Sequence, residues 1–178
     1  MQLIQNNAPD EASKKSLQEL ETIAEQTIEN LRRTTRALRP VYLEDLGLVT
    51  ALEMLTRETE SASNVKVTFQ KQGSEKRLAA PVELALYRMA QEALNNVARH
   101  AQASQAELGI YFDQDKIEVR VSDNGIGFEA PNTPADFAPS GHFGLLGMYE
   151  RADLIGARLT IHSTPGKGTH LTIQLPTM

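Results

Sequence analysis

Apolar residues in the first forty positions recur largely at steps of three and four: Leu17, Leu20, Ile23, Ala24, Thr27, Ile28, Leu31, Thr35 and Leu38. That spacing predicts one long helix with a narrow apolar stripe among Glu, Lys and Arg. A stripe this narrow suits a partner helix, as in a coiled coil or bundle, or else packing of the helix on its own domain. Pro40 ends it, because proline lacks a backbone donor and disfavours helix in the residue before it. A second helix is expected from about Glu44 to Ser61, with Leu46, Val49, Leu52, Met54 and Leu55 on its buried face. After a polar break at Ser61 to Asn64, Val65, Val67 and Phe69 alternate with polar residues, which signals a strand closed by Gly73. Pro81 suits a helix start, and Val82, Leu84, Leu86, Met89, Ala90, Ala93, Leu94 and Val97 carry the pattern to about Ala101.

The second half alternates with period two. Ala106, Leu108, Ile110 and Phe112, then Ile117, Val119 and Val121, flank a polar turn at Asp113 to Lys116 and predict a β-hairpin. Pro131 to Gly144 is rich in Pro, Gly, Ala and Ser and reads as a mobile loop. A short helix is expected from Leu145 to Ile155. A final strand pair holds Leu159 and Ile161, then Leu171, Ile173 and Leu175, around Thr164 to Gly168. Strands and helices do not alternate regularly, so the expected class is α+β: a two-layer α/β sandwich with helices on one face of a mixed sheet, preceded by the long N-terminal helix.

Composition narrows the function classes. Over 178 residues the net charge is −5, which disfavours a broad basic surface and hence nucleic acid as a partner. Aromatic residues are only 5% with no Trp, against a stacking platform for single strands. The absence of cysteine removes disulfides, thiolate catalysis and Cys-type zinc sites. No run approaches the roughly 18 apolar residues of a membrane span, and Met1 to Asp10 lacks a signal-peptide core.

Four local features carry candidate chemistry. Glu92, Asn96 and His100 stand at i, i+4 and i+8 on one helix face, with Arg99 beside them. A carboxylate, an amide oxygen, a cation and an imidazole on one stripe can coordinate a hard cation and meet phosphate oxygens, although such a stripe is commonly a solvated face. Asp123-Asn124-Gly125-Ile126-Gly127 follows a strand. Glycines there allow a sharp turn and close approach of a ligand, and the Asp can accept from an exocyclic amine; Asn-Gly is equally an ordinary turn. His142 to Met148 is a glycine-flanked helix start, suited by its free N–H groups to phosphate or simply a loop-to-helix junction. Gly166-Lys167-Gly168-Thr169 joins two strands and by itself reads as a hairpin turn. Neither a Walker-type phosphate loop nor Gly-x-Gly-x-x-Gly is present.

In this order the four features resemble the nucleotide-binding boxes of the GHKL ATPase superfamily. Within it, the chain is most similar to sensor histidine kinases of the type that partner LuxR-like response regulators. Glu92 to Ala101 resembles the N box, Asp123 to Gly127 the first glycine box, Gly144 to Met148 with Glu150-Arg151 the second, and Gly166 to Thr169 the third. Leu38-Arg39-Pro40, followed by Leu46-Gly47-Leu48 and Ala51-Leu52, resembles the junction between the second dimerisation helix and the catalytic domain.

The resemblance implies a Bergerat-type ATP site. Asn96 would hold Mg²⁺, and Glu92 would order its water or the reacting groups. Arg99 and His100 would lie near the triphosphate. Asp123 would accept from the adenine amine, with Gly125 and Gly127 permitting close approach. Pro131 to His142 would form an ATP lid. Gly144, Leu145 and Gly147 would hold phosphates, and Thr169 would support the adenine pocket. Residues 1–40 would be the remnant of a dimerisation helix and 41–178 the ATP-binding catalytic domain. The implied partners are ATP, a phosphoacceptor helix, a LuxR-like response regulator and a second copy in the full protein. The implied place is the cytoplasm, with membrane anchoring of the full protein left open.

One departure matters. The family's phosphoacceptor histidine sits on the first dimerisation helix, whereas His100, His142, His162 and His170 all fall in the expected ATP domain. The chain therefore reads as a fragment that binds ATP·Mg²⁺ but does not phosphorylate itself. Three other readings stay open: a gyrase- or MutL-type ATPase with Glu92 activating water, an anti-sigma-type serine kinase, and a non-catalytic nucleotide-binding assembly module.

Overall fold

The computed structural model describes residues 41–131 and 143–177. The expected long helix of residues 1–40 and all of the expected lid except Pro131 lie outside the described residues. Three α-helices are described: α1 (Val41–Ala62), α2 (Ala80–Asn96) and α3 (Phe143–Leu154). The strands are β1 (Lys66–Gln72), β2 (Gln105–Phe112), β3 (Lys116–Asp123), β4 (Arg158–Ser163) and β5 (Thr169–Pro176).

The five strands form one mixed sheet in the order β1-β2-β3-β5-β4. β1 and β2 are parallel, with α2 as their crossover; every other pair is antiparallel. The register stacks apolar residues in rows across the sheet. Val119 faces Ile110 on one side and Ile173 on the other, and Ile173 faces Leu159. Because side chains alternate between faces, these rows share one side. On that side α2 packs against β3 and α3 against β4. Leu52, Leu86, Met89, Leu94 and Met148 complete the same buried cluster from the helices. The opposite face is polar, with Glu107, Glu118, Arg120, Thr172 and Gln174 on its three central strands. The expected two-layer α+β sandwich is therefore the observed one.

One expectation about the helices needs correction. Leu46 was placed on the buried face of the helix after Pro40, but it is 51% exposed. Gly47, at φ 84° and ψ 171°, interrupts α1 and resets its helical phase. Leu43 before the kink and Leu48, Val49, Ala51, Leu52 and Leu55 after it are buried. The kink is clamped from the loop before α2. An Arg77 N–H donates to the Glu44 carbonyl (2.8 Å), and the Arg77 guanidinium lies 3.7 Å from buried Glu83. Glu83 also accepts from the Leu78 N–H (3.1 Å). The helix expected from Pro81 to about Ala101 is α-helix as far as Asn96. It continues as one π turn, Val97–Ala101, stopped by Gln102 in the left-handed region.

Glu118 is 2% exposed although it belongs to the polar face. Burial pushes its carboxyl up, but hydrogen bonds from Gln174 (2.8 Å), Lys116 (3.2 Å) and Arg120 outweigh this and hold it below the ordinary carboxylate value. A carboxyl lowered by folding adds stability above its unfolded value, and that stability is lost as pH falls through the folded value. Glu118→Gln should therefore be less stable than wild type at pH 7. The gap should close as pH falls below about 4. Urea unfolding at a series of pH values checks this, and a pH-independent gap would contradict it.

Gly47→Ala should lower stability by about 1–3 kcal/mol, since a side chain disfavours that backbone angle and meets Arg77. Urea midpoints measure it directly.

Candidate nucleotide-binding site

A cleft of about 530 Å³ opens beside the buried side of β3 and β5. That size suits a small-molecule ligand. One wall is the polar stripe of α2 and its π turn, with Glu92, Asn96 and His100. The floor is the ends of β3 and β5, with Asp123 and Thr169. The segment after β3 supplies Ile126, Gly127 and Phe128, and the start of α3 supplies Gly144 and Leu145.

Asp123 and Thr169 meet because they are cross-strand partners, the last pair of the β3–β5 ladder. Asp123 is 9% exposed and closes a tight turn: its Oδ1 accepts from the Gly125 N–H (2.8 Å). The next residue, Asn124, is committed elsewhere. Its Oδ1 accepts from the Ser104 and Gln105 N–H groups (3.0 Å each), and its amide donates to the Ser104 hydroxyl (2.9 Å). These bonds moor the turn to the start of β2.

Gly125 stands where the turn touches the π turn, and a methyl group there would overlap the Ala101 carbonyl and the Asp123 carboxylate. The Ile126 N–H then donates to that Ala101 carbonyl (2.8 Å). On the other side the Gly166 N–H donates to the Ile126 carbonyl (2.6 Å). Ser163 is a hub: it accepts from the Phe128 N–H (2.9 Å), donates to the Gly168 carbonyl (3.0 Å) and lies 3.0 Å from the Thr169 hydroxyl. Gly144 abuts the Glu92 carboxylate so closely that a methyl group would overlap it.

Of the residues singled out from sequence, the cleft gathers Glu92, Asn96, His100, Asp123, Gly127, Gly144, Leu145 and Thr169. Gly125 backs the cleft without lining it. Arg99 is exposed on the π turn and does not line it, and Gly147 lies one turn into α3, where its carbonyl accepts from Arg151 (2.8 Å). His142 lies outside the described residues. Sequence reading missed the apolar part of the lining: Val121, Ile126, Phe128, Ile161 and Leu171. Three of these were legible as inward positions of strands, but their nearness to Asp123 depends on register. Ser163 and Asn124 gave no signal beyond being turn-forming residue types.

The donor set can be matched to a ligand. Asn96 and Glu92, both half-buried, offer an amide oxygen and a carboxylate one helical turn apart. Among the described residues no three His, Cys, Asp or Glu side chains converge on a metal. Two oxygen donors of this kind fit an ion such as Mg²⁺, which keeps waters and shares ligands with phosphate. No described helix is long and apolar enough to cross a membrane.

Comparison with known proteins agrees with this geometry. Residues 82–178 match the family described as histidine kinase-, DNA gyrase B-, and HSP90-like ATPase. The chain is 34% identical over 162 residues to the signal transduction histidine-protein kinase/phosphatase DegS of Brevibacillus brevis, covering 91% of this chain and 41% of that protein. It is 32% identical to the oxygen sensor histidine kinase NreB of Staphylococcus carnosus, covering 88% and 44%. It thus spans less than half the length of these relatives. In fold it resembles the blue-light activated histidine kinase of Erythrobacter litoralis, with a TM-score of 0.63, 17% identity, and coverage of 97% of this chain and 62% of that one. The chain belongs to the histidine kinase-, gyrase B- and HSP90-like ATPase family.

Gly125→Ala should cost about 1–3 kcal/mol, because the added methyl group must displace the Ala101 carbonyl. Gly156→Ala, where nothing lies within 4 Å of the added group, should cost only its backbone penalty. Comparing the urea midpoints separates overlap from conformation.

Proposed function

We propose that this chain binds ATP with Mg²⁺ in the cleft and is the catalytic domain of a two-component sensor histidine kinase, passing the γ-phosphoryl group to a histidine outside this chain. The observation that carries the reading is the convergence of the α2 stripe, the Asp123 turn, the start of α3 and Thr169 on one cleft. Family membership and the kinase relatives support it.

In this reading Asn96 ligates Mg²⁺, with Glu92 ordering a coordinated water or the reacting groups. Bound there, the ion neutralises charge on the phosphate oxygens. Asp123 accepts from the adenine amine beside the Thr169 hydroxyl, and Gly125 and Gly127 keep the turn close. The apolar side chains of Ile126, Phe128 and Ile161 exclude water from the base. His100 lies toward the triphosphate, and the N–H groups at Gly144 and Leu145 meet its oxygens. Transfer of this kind is mostly positioning and charge stabilisation, which the cleft supplies without a covalent group of its own.

Residues 1–40 then belong to a dimerisation helix, and 41–178 form the catalytic domain. The full protein works as a cytoplasmic-facing homodimer in a phosphorelay, with a LuxR-like response regulator receiving the phosphoryl group.

Calorimetry with ATP and Mg²⁺ tests the site. Asp123→Asn should weaken binding by about 10- to 100-fold, the worth of a charge-assisted hydrogen bond. Asn96→Ala, which removes the oxygen donor, should remove the Mg²⁺-dependent part of the affinity. Unchanged binding in both would refute the assignment. With γ-labelled ATP the chain alone should gain no acid-labile phosphate, and adding a helix that carries the acceptor histidine should produce it. Steady ATP turnover abolished by Glu92→Gln would point instead to a gyrase-type hydrolase.

A further inference from the structure

We infer a second site, unrelated to the nucleotide cleft: a two-imidazole binding site for a divalent ion of the Ni²⁺, Cu²⁺ or Zn²⁺ class, made by His162 and His170. The two residues are direct cross-strand partners on β4 and β5. The pairs on either side of them, Ile161 with Leu171 and Ser163 with Thr169, face the helices and the cleft. Alternation therefore sends both imidazoles to the polar face of the sheet. Both are exposed, and neither has a hydrogen bond or ion pair among the described residues.

The geometry suits chelation. Directly opposed residues of an antiparallel pair hold their Cβ atoms about 4.5–5.5 Å apart. Two imidazole nitrogens bound to one ion at about 2.0–2.1 Å need to approach within ~3.3 Å of each other, which side-chain rotation from that spacing allows. The ladder continues on both sides of the pair, so the two backbones are already held and little ordering remains when an ion binds. Adjacent outward positions include Ser122, Thr160 and Thr172, which bring hydroxyls, and Lys66 lines a hollow together with His170. Arg120 stands opposite Thr172, in the row next to the pair, and is engaged with Glu118 and with the face of the Tyr111 ring. Imidazole suits late first-row ions, and two protein ligands leave the remaining positions to water. An ion at this site would tie the edge strand β4 to β5.

The test is titration of Cu²⁺ alone into the untagged 178-residue chain, followed by electron paramagnetic resonance. The expected result is one equivalent bound with coupling to two imidazole nitrogens. His162→Gln and His170→Gln should each weaken binding at least 10-fold, and the double variant should lose no more than either single. Ni²⁺ should also raise the thermal midpoint of wild type by about 3 °C or more at saturation, and not that of the variants. Both residues are exposed, so midpoints without metal should be unchanged, which separates lost ligation from lost folding. His100 and His142 remain in every variant and report single-imidazole binding. Wild-type affinity equal to that of the double variant would overturn the site and leave two solvated histidines.

Discussion

β3 pairs antiparallel with β2 on one side and β5 on the other, and its residues Ile117, Val119, Val121 and Asp123 share one face. Burial of the first three fixes that register, because a slip of one residue would turn every one of them toward water. The same pleat carries Asp123 onto the helix side, where the strand runs out beyond the last hydrophobic pair. The carboxylate thus reaches the cleft as the polar continuation of an apolar row. Thr169 arrives by the identical rule from β5. The cleft is built where the core stops, and the forces that place its floor are those that place Ile173 and Val119.

The walls depend on a second constraint, the seam between the Asp123 turn and the end of α2. Gly125 fits against Ala101, the Ile126 N–H takes the Ala101 carbonyl, and Asn124 holds the first residues of β2. The π turn provides that carbonyl. A helix that ended as regular α-helix would present its last orphan carbonyls differently, and the turn would lose its anchor. Irregular backbone is here a joint between the helix that carries Asn96 and the strand that carries Asp123.

Much of this was legible in the sequence, and for stated reasons. Period-two alternation marks β2 to β5, since each has one buried face. The apolar stripe marks α2, and the clustering of glycines with Asp123 and Thr169 marks the turns. What could not be read is longer in range. Nothing local in Val65 to Phe69 says that β1 lies parallel to β2, or that β5 rather than β4 sits beside β3. Leu46 went astray because one glycine with positive φ breaks the phase that helical counting assumes. Arg99 was grouped with His100 by proximity in sequence, and the π turn shows them differently: His100 lines the cleft and Arg99 does not. Glu118 occupies an outward strand position, yet three donors enclose it, two from its own strand at positions two residues away.

The Ser163 hub orders protons as well as atoms. A serine hydroxyl has one hydrogen and two acceptor sites. Its hydrogen goes to the Gly168 carbonyl, and the Phe128 N–H fills one acceptor site. The contact with Thr169 must then use the threonine's hydrogen. Thr169 consequently turns lone pairs, not a donor, toward the cleft, beside a carboxylate that also only accepts when ionised. The floor of the cleft is an acceptor edge, and a ligand whose facing edge donates, as an exocyclic amine does, is matched, whereas one presenting a carbonyl oxygen meets two repelling partners. Discrimination between bases would then rest on the direction of a single O–H bond directly beside the Thr164 to Gly168 turn.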